Sequence, residues 1–333
     1  MSGIHLFSVS LGVFKMVLFL NEENVQQLLT MDIALEQVGR ALKDRALGRA
    51  VDVPRARIQT PAGIQHVLQA AAPELGYIGF KYYYTVPGQR SAMYVHLTNM
   101  KTGKLEAIVE ASWQSMIRTG AASGVATRAL ANPGATTVAQ LGAGYQGMGQ
   151  LEAVVRALKL REARVYAPTR DKLEAWCKKM SLKLGIPVHA AASAQEAIRG
   201  AQVVNVITKS ATPVLDGDWL EPGQHVNAAG SNALSRREID AKTIARAALI
   251  TVDARGTAQK ECGDLLAAVE TGKLNWDTLT EIGDVLAGRA PGRAHKDDIT
   301  LYESHGMGIQ DVYTAAKVVE LARSGKMGTA LPM

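Results

Sequence analysis

At 333 residues the chain exceeds what one hydrophobic core usually organises, and 47% apolar with 20% charged residues leaves no room for a long disordered tail. The net charge of +6 is dispersed among acids and aromatics make up 5%, which excludes the clustered basic face of a nucleic-acid reader and leaves a mild preference for anionic small molecules. Cys177 and Cys262 stand far apart and outside any CxxC spacing, so neither a disulfide framework nor a metal site is expected, and the setting is a reducing one, the cytoplasm.

The first 20 residues are fairly apolar, but they lack a basic leader, are interrupted by Lys15 and are too short for a bilayer span, so they read as an extension ahead of Met16. Over 21–50 the apolar positions Val25, Leu28, Leu29, Ile33, Val38 and Leu42 keep helical spacing, giving two amphipathic helices that break near Met31. Five β-like runs follow at 57–59, 65–71, 77–86, 91–99 and 106–110, separated by Pro61, Gly63, Pro87, Gly88 and Gly103, as in an antiparallel sheet. An Ala-rich helix then starts at Ser112 and stops at Asn132-Pro133-Gly134.

Beyond that stop the rhythm changes to strand, Gly-rich turn, helix, strand, helix, with further strands at 188–191, 203–208, 225–230 and 248–253. That alternation is the βαβ pattern of a parallel doubly wound sheet. The last helix, from Asp311, is expected to return to the first domain. The fold class is therefore α/β, a Rossmann-type doubly wound parallel sheet beside an α+β domain.

Gly142, Gly144 and Gly147, with Ala143, Tyr145 and Gln146 between them, lie directly after a strand and directly before a helix. In that context the first glycine makes the tight turn, the second admits a pyrophosphate, and the third lets the helix pack on the sheet. The helix N-terminus adds free N–H groups and a positive dipole end. About 20 residues on, where an acid would hold the ribose 2′-hydroxyl of NAD, stand Thr169 and Arg170. Those two side chains favour NADP(H) over NAD(H), unless Arg170 is only a solvated residue at a helix start.

Three basic residues interrupt otherwise apolar or small surroundings. Lys81 lies in the aromatic run 76–84, where desolvation would lower its pKa into the range of a proton donor, although an edge-strand lysine fits equally well. Arg57 and Arg118 could each grip a carboxylate with two parallel hydrogen bonds, or could be surface ion-pair residues. Tyr94 and His96 share a strand face and either line a pocket or sit structurally.

The run at Lys81, Ile117-Arg118-Thr119-Gly120, the Gly142 turn with Gln146, Glu221-Pro222-Gly223 through Gly230, and the ending 299–306 with Asp311 resemble the ornithine cyclodeaminase/mu-crystallin family. That resemblance implies residues 1–125 with 305–333 as a substrate-binding and dimerisation domain, 126–304 as the dinucleotide domain, and a homodimer sharing a β-barrel. It further implies Lys81 as acid/base, Arg57 and Arg118 on the substrate carboxylate, and Gln146, Thr208, Gly230, Ser231 and Ser304 near the cofactor.

By the same resemblance Asn232, expected at the substrate, stands where cyclodeaminases and the alanine dehydrogenase carry an aspartate, and a neutral amide cannot take up a proton. Reduction of a small imino acid, or oxidation of the matching amino acid, is expected over cyclodeamination of ornithine or lysine, with a non-catalytic crystallin-like ligand binder as the remaining alternative.

Overall fold

The computed structural model describes residues 16–332. The chain begins with β1 (Val17–Leu20), α1 (Glu22–Leu28) and α2 (Met31–Ala46). Thr30 ends the first helix and starts the second, its hydroxyl accepting from the Ile33 N–H, which is the break expected near Met31. The strands β2 (Val51–Thr60), β3 (Gly63–Ala72), β4 (Tyr77–Thr85), β5 (Met93–Asn99) and β6 (Leu105–Glu110) then form an antiparallel meander. β2 begins six residues earlier than its sequence pattern showed and includes Pro54. Pro54 is tolerated there: β2 is the edge strand of the sheet and its register shifts between Val53 and Ala56.

The Ala-rich stretch forms α3 (Ser112–Leu130), which leads into the second sheet. That sheet is built from β7 (Thr137–Leu141), α4 (Tyr145–Leu158), β8 (Glu162–Tyr166), α5 (Arg170–Leu184), β9 (Val188–Ala190), α6 (Ala194–Ile198), β10 (Val203–Val206) and β11 (His225–Ala228). It continues through α7 (Ala241–Arg246), β12 (Ala247–Val252), α8 (Arg255–Glu261), α9 (Gly263–Glu270), β13 (Thr280–Glu281), α10 (Ile282–Leu286) and β14 (Ile299–Glu303). The chain closes with α11 (Gly308–Gly325) and β15 (Thr329–Leu331).

All eight strands of the second sheet pair in parallel, in the order β13-β12-β14-β11-β10-β7-β8-β9. The chain runs outward from β7 to β9, then crosses back to β10 on the other side of β7. Loops leaving β7 and β10 therefore diverge to opposite faces and open a crevice, the usual ligand position in such sheets. The fold class is as expected, a Rossmann-type α/β sheet beside a mixed α+β unit.

α11 packs back against α2, α3, β3 and β4, contributing Ile309, Val312, Tyr313 and Val319 to the core of the first unit. β1 and β15, which the sequence pattern did not show, extend the first sheet at its far edge. α3 and α4 cross so closely that a Cβ on Gly120 would lie 2.2 Å from the Gly149 carbonyl oxygen. The small residues of α3 thus admit the backbone of α4.

Candidate active site

Both sheets face one cleft of about 960 Å³. Its lining holds six cations, Arg55, Lys81, Arg118, Lys172, Lys209 and Arg236, and no Asp or Glu among the described residues. Such a concave, one-signed surface concentrates anions.

One half is the crevice beside β7. Gly142 turns with φ +111°, and a Cβ there would sit 2.2 Å from the Ile207 carbonyl oxygen. Only glycine tolerates both that backbone region and that approach. Gly147 is held by packing instead, since its Cβ would meet the Gly142 carbonyl oxygen at 2.8 Å. Between them Gly144 caps α4 and has open space where a side chain would project. The buried Gln140 amide donates to the carbonyls of Gly142 and Gly147 and fixes the loop from below. A cradle free of Cβ atoms at a helix N-terminus, inside a cationic cleft, fits a dinucleotide pyrophosphate.

Tyr145, Gln146, Thr169, Thr208, Gly230, Ser231 and Ser304 all line this cleft. Arg170 does not: its guanidinium pairs with Glu174 at 2.6 Å and reaches the carbonyls of Ala190 and Ala191, away from the opening. Lys172, in the first turn of α5, lines the cleft in its place. Glu174, four residues after Arg170, was the available signal for this pairing.

The other half is built on the first sheet. Lys81 sits mid-strand in β4 between Leu68 and Val95, on the face covered by α11, and is 1% exposed. Its ammonium donates to Asp311 Oδ1 at 2.9 Å and to Ser115 Oγ at 3.3 Å. Burial, reinforced by the nearby Arg118 charge, pulls its pKa down to about 7 despite Asp311. Tyr83, two residues on, shares that face and lines the cleft, whereas Tyr82 and Tyr84 do not.

Arg118 projects from α3, donating from Nε to Asp311 Oδ1 at 2.9 Å and from Nη1 to Gln310 Oε1 at 3.0 Å. Gly306, at φ +78°, leaves room for this guanidinium, since a Cβ there would lie 2.5 Å from Nη1. The turn around it is held by Asp253 Oδ2, which accepts from the N–H groups of His305 at 2.7 Å and Gly306 at 2.8 Å.

Sequence reasoning placed Arg57 beside Lys81, but the structure places Arg55 there. Arg55 is 7% exposed, lines the cleft, and donates to the His305 carbonyl at 2.8 Å and the Tyr83 hydroxyl at 3.2 Å. Arg57 is outside the cleft lining, donating to the Asn232 carbonyl and pairing with Glu261 at 3.1 Å. Tyr94 and His96 are outside it as well. His96 stacks on Phe80 on the opposite sheet face, with ring centroids 4.7 Å apart. Asn232 lines the cleft near its middle.

His305 lines the cleft, and Cys262 and Glu303 gather with it, the polar atoms of the three lying within 4.8 Å of one another. Burial pushes the Cys262 thiol and the Glu303 carboxyl up and the His305 imidazole down to about 4.

Comparison with known proteins gives the same picture. A Δ1-pyrroline-2-carboxylate reductase from Bacillus cereus is 31% identical over 319 residues, covering 92% of this chain and 96% of the relative. The solved structure of Thermococcus litoralis Δ1-pyrroline-2-carboxylate reductase in complex with NADH and L-proline matches with a TM-score of 0.90 and 29% identity, over 94% of this chain and 99% of that one. An archaeal alanine dehydrogenase dimer with bound NAD matches with a TM-score of 0.89 and 29% identity, over 95% and 99%. The profile of the ornithine cyclodeaminase/mu-crystallin family covers residues 15–326, and the chain belongs to that family.

Proposed function

We propose that this protein is an NAD(P)-dependent oxidoreductase of the C–N bond in a small amino or imino acid, working as a ketimine reductase or, in reverse, an amino acid dehydrogenase. The observation that carries this reading is Lys81, a buried ammonium with its pKa near 7 between Arg55 and Arg118, at the end of a cleft whose other half is the glycine cradle. The relatives named above act on such compounds.

Arg55 and Arg118 hold the substrate carboxylate, both guanidiniums being anchored by the protein so that little ordering remains to be done on binding. Lys81 gives a proton to the imine nitrogen or takes one from the amine, and the low pKa makes both directions accessible near neutrality. The nicotinamide, when bound, supplies or accepts the hydride. Tyr83, Thr85, Ser91 and Met93 form an uncharged wall, which suits a short or cyclic apolar side chain over the second amino group of ornithine or lysine.

The Cβ-free cradle of Gly142, Gly144 and Gly147, with Tyr145 and Gln146, takes the pyrophosphate, and Thr208, Gly230, Ser231 and Ser304 lie along the rest of the dinucleotide. NADP(H) is preferred over NAD(H), because β8 is followed by Ala167-Pro168-Thr169 without an acid and Lys172 faces the opening. In the second copy needed for a homodimer, we assign contact to the outer face of β2–β4, where Val51, Val53, Ile78 and Phe80 are exposed around one apolar hollow. Residues 1–125 with 305–333 and 126–304 are the two proposed domains, with α3 running across the border as far as Leu130. Among the described residues no helix is long and apolar enough to cross a membrane, and a cytoplasmic location remains the proposal.

The test is a spectrophotometric screen of cyclic imines, and of keto acids with ammonia or methylamine, with NADPH and NADH in parallel. Oxidation of either cofactor with an imine supports the reading. Ammonia release from ornithine or lysine without net change in the cofactor replaces it with a cyclodeaminase, and silence throughout favours a non-catalytic binder.

A further inference from the structure

Two loops leave neighbouring parallel strands and line the dinucleotide half of the cleft: the segment after β10, with Thr208, and the segment after β11, with Gly230. Behind both, and not itself lining the cleft, is Glu238, which is 1% exposed. Its Oε1 accepts from the backbone N–H and the hydroxyl of Thr208, each at 2.6 Å. Its carboxylate also lies flat against Gly230, where a Cβ would come within 2.2 Å of Oε2. The backbone of Glu238 is pinned as well: its N–H donates to Asp264 Oδ1 at 2.6 Å, and its carbonyl accepts from Val214 at 2.8 Å.

A buried carboxylate is an expensive brace. Desolvation by burial raises the Glu238 pKa to about 7 against the hydrogen bonds from Thr208. An apolar side chain of similar volume would fill the space at lower cost. It would not, however, hold two separate loops in fixed register, and the requirement for glycine at position 230 is a second cost incurred at the same contact. Both fall on the wall that faces the cofactor, whereas the substrate side is held by other residues, Asp311 at Lys81 and Arg118 and Asp253 at the backbone of His305 and Gly306.

We infer that Glu238 is a positioning residue for dinucleotide binding, acting through Thr208 and Gly230 to set the two loops against the cofactor. The inference rests on the dinucleotide reading of the cleft. Its mark is a loss of cofactor affinity with the chemical step retained once the cofactor is saturating, since Glu238 touches neither substrate nor Lys81.

The experiment compares wild type, Glu238→Gln, Thr208→Val and the double variant by fluorescence titration with NADPH and NADH, steady-state kinetics and thermal unfolding. The amide of Glu238→Gln keeps the shape but weakens a charge-assisted pair, so the cofactor Kd and KM should rise about 10-fold to 100-fold while kcat changes by less than about threefold. Thr208→Val should raise Kd in the same way, and the double variant should be no worse than the poorer single, because one contact is being removed twice. A Kd within about twofold of wild type in Glu238→Gln, or a fall in Tm with Kd unchanged, overturns the inference. Should Glu238→Gln fail to fold, Glu238→Asp, which keeps the charge but shortens the reach to Thr208, decides by the same Kd criterion. Wild type that binds neither nucleotide defeats the dinucleotide reading itself, and the inference with it.

Discussion

The ammonium nitrogen of Lys81 lies 2.9 Å from Asp311 Oδ1, and the same oxygen accepts from Arg118 Nε at 2.9 Å. One carboxylate is shared by two cations, so this buried cluster carries a net positive charge, and the proton that leaves most readily is that of Lys81, whose pKa is drawn to about 7 by burial and by Arg118. In the proposed reaction the protonated lysine is the donor for imine reduction, so kcat/KM for reduction should fall as pH rises through about 7, while amino acid oxidation should rise through the same pH. Asp311→Asn removes the charge that favours the ammonium, moving the inflection to lower pH. At a pH above the wild-type inflection, reduction should lose about tenfold for each unit moved. Lys81→Ala should abolish turnover with nucleotide binding intact, and a variant that still turns over excludes Lys81 from the proton transfer.

Arg55 and Arg57 offer an internal control, two residues apart on one strand. Arg55→Lys keeps a charge but loses the planar fork, so KM for the imino acid should rise roughly 10-fold to 100-fold. Arg57→Lys, outside the cleft, should change KM less than about threefold. Equal effects at both positions would place the carboxylate at the mouth of the cleft instead of its floor.

This pair also marks the limit of what the sequence discloses. Residues of equal parity on a strand share a face, so alternation cannot tell Arg55 from Arg57, and the bulge beside Pro54 carries no signature that would break the tie. Lys81, Arg118 and the Gly142 turn were legible because each stands against its local background: a charge in an aromatic strand, a charge in an Ala-rich helix, a glycine pattern between strand and helix. Asp253, Glu238 and the role of Asp311 were not, because their partners lie 52, 30 and 230 residues away in hydrogen bonds that only the folded chain creates. The edge strands β1 and β15 were missed for the same reason, being short segments whose only β-signal is the neighbour they pair with.

Nucleotide discrimination separates two residues of α5. Lys172→Ala should lower the ratio of kcat/KM for NADPH over NADH by about tenfold or more, the contribution of one charge-assisted contact to a 2′-phosphate, with NADH kinetics unchanged. Arg170→Ala should alter the ratio little, because that guanidinium is engaged by Glu174 and two carbonyls. The reverse order of effects would mean that Arg170 leaves those partners when the nucleotide binds.

Gly142→Ala tests the cradle. The position combines φ +111° with a 2.2 Å approach to the Ile207 carbonyl, so the substitution both strains the backbone and pushes β10 away from β7. A cost of about 2–4 kcal/mol in unfolding free energy is expected from strain of this kind, together with loss of nucleotide binding. Gly144→Ala has open space for its methyl in the protein alone, so it should fold with near-wild-type stability and lose affinity only for the nucleotide. Parallel denaturation and nucleotide titrations of the two variants check this, and undiminished binding by Gly144→Ala would mean that no phosphate approaches the helix N-terminus.

The proposed homodimer is tested at the outer face of the first sheet. Ile78 is 48% and Phe80 37% exposed, while β4, which carries both, presents a buried inner face to α11. A charge placed between such residues in a closed interface would be desolvated without a partner, at a cost of several kcal/mol. Ile78→Glu should therefore convert a dimer into monomers in light scattering at micromolar concentration and leave the monomer folded, since the side chain is solvent-exposed in a single copy. Because Phe80 and Lys81 are adjacent on β4 and face opposite sides of the sheet, loss of the partner should also loosen the strand that holds Lys81, and kcat should fall with the dimer fraction on dilution. A variant that stays dimeric assigns the interface to another surface; one that becomes monomeric with full activity shows that the catalytic half of β4 is rigid without its partner.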